Sequence, residues 1–493
     1  MEIKLPELAA GRSSTGEMGM EAVQELQKAL TAGYGTDVAS LTGGGALRIQ
    51  SLERTLLSTI QENKHFKLFN QFAKTSATAT VDEWTEQSGV GGFMGGSTNS
   101  ETGVINDATG SYARRTGQVK YLMTRREVSF VTTLQNSQVE AEATEQQNGA
   151  LQLLTDAEFL SFEGDSAVVP TEFDGIYAQL AAGIAAGQVD QDNILDARGQ
   201  SLNSIGLINK AAAGISRYGN FGTPTHMFHS QLVQADFDTG LDPAFRVSLS
   251  KTGQDIMVGA PVVGVRTSHG NIATEPDVFI REDLMLQPFE VRYPAIAAAN
   301  AFVPASVTPG SPATDLVNSQ FSTAQAGNYY YLVSGVNAKG ESMGVVSAQV
   351  AIGPNQKVAL TIARSVAATE TGYVIYRSRQ NGLGVVAGSV VGEGSDFRQV
   401  ARIPIAGATT VWTDTNADIP GTTKSYILNM TPSAMAITWR QLLPMLKFPL
   451  YPTQSAVIPW AQLLFGYLRI GKRKHHVVIK NILPNGNVWR PFV

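Results

Sequence analysis

The spacing of hydrophobic residues changes character several times along this chain, and each change predicts an element. In "MEAVQELQKAL" (20–30), Ala22, Leu26 and Leu30 recur at helical intervals until "TAGYG" stops them, and "ALRIQSLERTLLSTI" (46–60) predicts a second helix. The register then shifts to strands: "TATVDEW" (78–84) before a glycine-rich run and "GQVKYLMTRREVSFVTT" (117–133) after it. Two extended stretches around roughly thirty polar, glycine-rich residues predict a long hairpin over 78–130. The clearest helix follows, over 138–162. Ser137 and Glu140 have capping-box spacing, so each side chain can satisfy an orphan N–H at the other position. Ala150, Leu153, Leu154, Ala157 and Leu160 repeat at three and four to make one apolar stripe, and Gly164 is placed to end it. A second amphipathic helix runs through Ile205, Ile208, Ala212 and Ile215, opened by Ser204. From 255 to 293 short strands alternate with turns.

Near residue 303 the style changes. "FVPASVTPGSPATD" and "DTNADIPGTTKS" (414–425) are Pro/Gly/Ser boundaries, and between them lie seven or so β-rich stretches, among them "NYYYLVSGV", "KVALTI", "GYVIYRS" and "TTVWTD". Closely spaced strands with turn signals predict a self-contained β-sandwich over 303–424. After 425 the earlier α/β style resumes and finishes in "LLFGYLRIGKRKHHVVIKNIL" (463–483). A sandwich bracketed by two pieces of another domain reads as an insertion.

Composition narrows the function. At 493 residues and 43% hydrophobic the chain can bury several cores, yet only 16% of it is charged. So sparse a charge suits a surface largely covered by other subunits. A net charge of −5 lacks the basic footprint of a dedicated nucleic-acid binder. The absence of cysteine excludes disulfides, thiolate nucleophiles and Cys-ligated zinc. "MEIKLPELAAG" lacks signal-peptide regions, and "AVIPWAQLLFGYL" (456–468) is too short and interrupted to span a bilayer, so a soluble intracellular product is expected.

Catalytic chemistry finds little footing. "GVGGFMGG" has no Lys and does not lead into a helix, as a phosphate-binding P-loop must. The "GK" at 471–472, expected on a strand, is followed by Arg473. "FEGDSAV" carries a GDS triplet found in one esterase family, but no D-x-x-H partner follows. His226 and His229 in "HMFH" would share one face of a helix and could bind metal with a third ligand, for which Asp236 and Asp238 are weakly placed. Two ordinary, partly buried histidines fit better. "GKRKHH" (471–476) is a basic cluster that suits a strand edge and turn better than nucleic acid. No cofactor, metal or catalytic set is expected.

The order of parts resembles the major capsid proteins of tailed bacteriophages, of the Hong Kong 97 fold. It is carried by "DVASLTGGGALRIQSLE", "KTSATATVDEW", "SYARRTGQVKYLMTRREVS", the "FEGDS...FDG" segment and the closing "LLFGYLRIGKRKHHVVIKNI", across roughly 38–300 and 425–485. "NYYYLVSGVNAKGES" and "TGYVIYRS" resemble strands of a fibronectin type III or immunoglobulin-like domain. The resemblance implies an α+β fold: an N-terminal arm (1–77), an extended E-loop hairpin (78–130), a peripheral domain with its spine helix (131–229), an axial domain (230–302) resumed in 425–493, and the inserted sandwich (303–424). It implies a subunit that assembles with itself as hexamers and pentamers into an icosahedral head around phage DNA. Scaffold, portal and decoration proteins would be its partners, with no membrane, and assembly in the host cytoplasm would end in the virion capsid. The arm would lie over a neighbouring subunit, with Trp84 as an apolar anchor and Glu86, Glu101, Asp107, Arg114, Arg115, Arg125 and Arg126 as cross-subunit partners. Family crosslinking through an arm lysine is not expected, because no Lys lies between Lys74 and Lys120. A host-surface adhesin with a fibronectin-like module, or an α/β enzyme with an accessory sandwich, are the competing readings.

Overall fold

The computed structural model describes residues 62–105, 107–134, 140–240, 262–282, 302–382, 385–391, 396–452 and 455–492. The helices expected at 20–30 and 46–60, the capping residue Ser137 and much of the stretch from 255 to 293 lie outside these residues. Among the described residues no helix is long and apolar enough to cross a membrane.

The apolar run read at 456–468 lies in a 14-residue strand, Val457–Ile470, whose branched and aromatic side chains favour a pleated surface. It pairs antiparallel with Ile437–Pro449 on one side and Lys120–Ser129 on the other, and the short parallel strand Ala73–Ser76 completes a four-stranded sheet. The stretch 117–133 is therefore not one hairpin strand. It breaks at Val119, which is buried and donates its N–H to Thr80 O at 2.9 Å. Ser111–Gln118 stays with the hairpin, Lys120–Ser129 enters this sheet, and Phe130–Leu134 is helical.

Across the sheet lies the long helix Ala141–Glu163, 23 residues that span about 35 Å at 1.5 Å each. It stops just before Gly164, as the sequence predicts. Leu153 and Ala157 of the expected stripe are fully buried, joined by Leu151 and Phe162, while Leu154 and Leu160 are half-buried. Gly149 explains how closely helix and sheet meet. A Cβ there would lie 2.1 Å from Gln462 Oε1, and Gln462 Nε2 donates to Gln146 O at 2.7 Å. Lys447 adds an ion pair to Glu142 at 2.6 Å.

A second, six-stranded sheet runs in the order Ile194–Asp196, Val477–Ile482, Thr423–Leu428, His226–His229, Gly270–Pro276, Gly264–Thr267. Ile208, Ala212 and Ile215 of the helix Gly206–Ser216 pack with Val477 and Ile479 in one apolar core, as do Val233 and Phe237 of the helix Gln231–Gly240. Ser204 does not cap the former, since Ile205 holds that position and is largely exposed. Residue 230 does not mark a change of sheet: Ile194–Asp196 and His226–His229 precede it and pair within this one, whereas Ile437–Pro449 and Val457–Ile470 belong to the other.

The sandwich is built on a five-stranded sheet, which contains Tyr331–Asn337, Gly340–Val346, Gly372–Ser378 and Phe397–Pro404, facing a sheet led by Gln356–Ala363 and Thr409–Asp414. Alternation sends Tyr329, Tyr331 and Val333 into the core between the sheets. Tyr330 and Leu332 point the other way, yet they are buried too, under Val168 and Val169. This corrects the expectation of a self-contained domain. The sandwich shares a core with the segment after the long helix, Arg402 pairs with Glu172 at 3.1 Å, and Arg398 covers the ring of the C-terminal Trp489 at 4.9 Å. Its exit is also earlier than 424, because Thr423 already belongs to the six-stranded sheet.

Inside the sandwich Arg377 is wholly buried. It donates to Asp414 and Asn416, both at 2.6 Å, while Tyr331 donates to Asp414 at 2.8 Å and the rings of Phe321 and Tyr329 flank the guanidinium at 5.2 and 5.3 Å. Removing one partner strands a buried charge. Asp414→Ala is expected to cost about 3–5 kcal/mol in urea unfolding, whereas Glu127→Ala, which breaks an exposed pair with Arg125, costs under about 1 kcal/mol.

Candidate functional site

The strand Val81–Gly89 pairs antiparallel with Ser111–Gln118 to form a two-stranded arm, with Trp84 opposite Arg115 and Glu86 opposite Ala113. Both strands run further toward the tip than the sequence suggested, leaving 90–110 as the tip. Gly91, Gly92 and Gly95 there adopt φ of 93°, 73° and 80°, a region in which only glycine is unstrained. The tip presents apolar side chains to solvent: Val90, Phe93, Met94, Val104 and Ile105 are 86%, 76%, 72%, 88% and 85% exposed.

Period-two alternation divides the arm's charges by face. Asp82, Trp84 and Glu86 turn inward, and Glu83 turns outward to pair with Arg114. Asp82 accepts from Arg440 Nε and Nη2 at 2.8 and 3.0 Å and from Tyr467 Oη at 2.6 Å, with Arg469 at 3.7 Å. Burial works against its ionisation, but the hydrogen bonds from Arg440 and Tyr467 outweigh it and hold its carboxyl below the usual carboxylate range. Burial and the bond to Asp82 push the Tyr467 hydroxyl up in turn. One turn of the pleat onward, Glu86 accepts from Arg115 at 3.1 Å and Arg473 at 3.0 Å, and Arg473 also donates to Gln188 at 2.8 Å. The arm is clamped at its root, and among the described residues no ion pair holds its tip to the body.

This geometry redistributes the residues named from sequence. Trp84 packs against the body's core with Arg469 5.7 Å above its ring, and so is turned toward its own chain. Arg115 and Glu86 join each other, and Arg126 reaches Glu145 at 3.2 Å and Gln152 at 2.6 Å on the long helix. Arg125 pairs with Glu127 at 2.7 Å on the opposite, exposed face. Glu101 and Asp107 are exposed on the tip. Sequence reading missed Asp82, Arg440, Tyr467 and Arg473. The alternation in "VDEWTEQ" was the available signal for Asp82 and Glu86, but Arg440 and Arg473, which tie them to the body, lie more than 350 positions away.

The remaining candidates also find places. His226 and His229 lie on a strand, where a spacing of three puts them on opposite faces, so the shared helix face is corrected. Burial lowers the pKa of both. Gly471 and Lys472 follow a strand rather than sit on it, and Arg473–His475 form a 3-10 turn. Burial pushes the next residue, His476, down to about 3. No cluster of three metal-ligating side chains occurs among the described residues. A cleft of about 1000 Å³ opens between the arm root, the helix Ile176–Ala185 and the sandwich edge. Three of its cations are paired locally, Arg402 with Glu172, Lys424 with Glu163 at 2.6 Å and Lys480 with Asp418 at 2.7 Å, and Lys120 donates to the Pro170 carbonyl at 2.6 Å.

No family model matches the sequence. The chain is 26% identical over 481 residues, 94% of its own length and 97% of the relative's, to a protein described as "Putative major capsid protein" of Enterococcus phage phiEF24C. Among solved structures it is similar to a chain from Mycobacterium phage Adephagia (10% identity, 90% of this chain and 98% of that one, TM-score 0.40). It is also similar to a chain of the capsid of a native GTA particle (7% identity, 90% and 99%, TM-score 0.45). Added to the arm, long helix and two sheets described above, the match over nearly the full length of both chains makes this α+β chain similar to a putative phage major capsid protein and supports a capsid-forming, structural role.

Proposed function

We propose that the chain is the repeating subunit of an icosahedral head, arranged as hexamers and pentamers around packaged phage DNA, and that the two-stranded arm is the E-loop laid over a neighbouring copy. The observation that carries this reading is the contrast along the arm: a root fixed by half-buried ion pairs and a tip of exposed apolar side chains. A solvent-facing cluster of that kind is costly unless another surface covers it. A tip that docks on a different patch of the next copy makes a head-to-tail contact, which closes into rings when the rotation allows. The role is structural rather than enzymatic, a reading supported by the match over nearly the whole chain to a putative major capsid protein.

Neighbours hold together without covalent links, because the chain has no Cys and the arm has no Lys between Lys74 and Lys120. Scaffold, portal and decoration proteins complete the assembly in the host cytoplasm, and DNA lies on the inner face without sequence-specific contacts, in keeping with a net charge of −5. The sandwich faces outward, where it does not compete with packaged DNA for volume.

Two outcomes are expected. Phe93→Ser with Ile105→Ser leaves the melting temperature of the free subunit unchanged, because both side chains are already in water. In shells it forfeits about 3–6 kcal/mol per arm, from about 1.5–3 for each buried side chain, and electron microscopy shows assembly collapsing. A variant that assembles normally contradicts arm docking. Purified shells boiled in detergent run as single chains on a gel, and a covalent ladder contradicts the non-covalent shell.

A further inference from the structure

The inward stripe of the long helix contains one residue that an apolar stripe should not hold. Glu158 is fully buried, and its two carboxyl oxygens accept the backbone N–H groups of Leu68 at 2.7 Å and Phe69 at 2.6 Å. Asp277, just beyond the strand Gly270–Pro276, is fully buried as well. Its Oδ1 accepts from Phe279 N–H at 2.8 Å, its own N–H donates to His229 O at 2.8 Å, and its Oδ2 has no donor among the described residues. The side chains of Glu158 and Asp277 act on each other's ionisation. Two carboxyl groups can bond to each other only if one carries a proton, and a proton between them would give the orphan oxygen its partner. The segments they hold also meet directly, with Phe66 stacked on Phe279 at 5.1 Å.

We propose that Glu158 and Asp277 share a single proton that latches the long helix to the segment 66–72 and to the loop 277–282, and that the latch opens as the solution turns alkaline. The proposal concerns the subunit alone and stands independently of shell assembly. Deprotonation leaves two buried negative charges in contact, with the N–H groups of Leu68, Phe69 and Phe279 as their compensation. The other charged groups facing the pair are Lys67, which draws Asp277 down, and Glu275, which pushes it up. These two pair with each other at 3.4 Å and largely offset. His226 and His229, on opposite faces of the adjoining strand, both feel the charge of Glu275, and burial keeps them toward their neutral forms.

Burial, then the Asp277 charge, push Glu158 up to about 9 from an ordinary 4.5. Between those values the folded chain binds more protons than the unfolded one, so stability is greatest at the acid end and is lost as pH rises through the window. Asp277→Asn tests this directly. The amide nitrogen replaces the orphan Oδ2 and donates to Glu158, Oδ1 keeps the Phe279 N–H, and the joint no longer needs a proton. In urea unfolding of the purified subunit from about pH 6 to pH 9.5, the wild-type midpoint is expected to fall with pH more steeply than that of Asp277→Asn, which becomes the more stable of the two at the alkaline end. Parallel profiles overturn the latch. Infrared spectroscopy supplies a second reading on the wild-type chain, independent of how the variant folds. The C=O band of a protonated carboxyl should be present near pH 7 and gone near pH 10, and its absence near pH 7 overturns the proposal.

Discussion

The strand Val457–Ile470 has obligations on four sides, and the rest of the body depends on its meeting them together. Its backbone serves two antiparallel ladders, one to Ile437–Pro449 and one to Lys120–Ser129. Successive side chains leave the strand on opposite faces, so Gln462, Leu464 and Leu468 meet the long helix and its core, while Tyr467 reaches Asp82 on the arm. A slip of one residue would exchange these faces, withdrawing the arm's clamp and the helix's seat at once. Register in this strand thus couples the direction of the arm to the position of the helix.

The chain places its charges and its apolar residues against the usual grain. Ion pairs with little exposure lie within the subunit, at the arm root, under the sandwich and inside it. The arm tip, by contrast, carries Phe93, Met94 and Ile105 into solvent. Such a division separates two tasks. In the proposed reading, directional, half-buried charge pairs fix where the arm points, and non-directional apolar burial would supply the attraction between copies. It also agrees with a chain of only 16% charged residues, whose partners are further copies of itself.

Local patterns carried most of the elements and few of the connections between them. The long helix, the stop before Gly164 and the strands "KVALTI" and "TTVWTD" were legible because periodicity and turn residues act over a few positions. The helix Ile176–Ala185 went unread, for its alanines and glycine give no contrast between faces. "HMFH" read as helix until its pairing with distant strands showed otherwise, since four residues do not distinguish the two periods. The arm was legible as a hairpin with a glycine-rich tip, but its working parts were not. Trp84 and Glu86 looked like surface partners because the residues that cover or pair with them, Arg469 and Arg473 among them, arrive from the far end of the chain. The shared burial of Tyr330 with Val168 was hidden for the same reason, so a domain with its own strands looked more independent than it is.

The central claim is that a rigidly rooted arm carries an apolar tip onto a neighbouring copy. An electron-microscopy reconstruction of assembled shells tests it most directly, by tracing residues 81–118. The account predicts continuous density from the Asp82–Arg440 root outward, with Phe93 and Ile105 enclosed by side chains of another subunit. An arm folded back on its own chain, or a tip left in solvent in every copy, would contradict it.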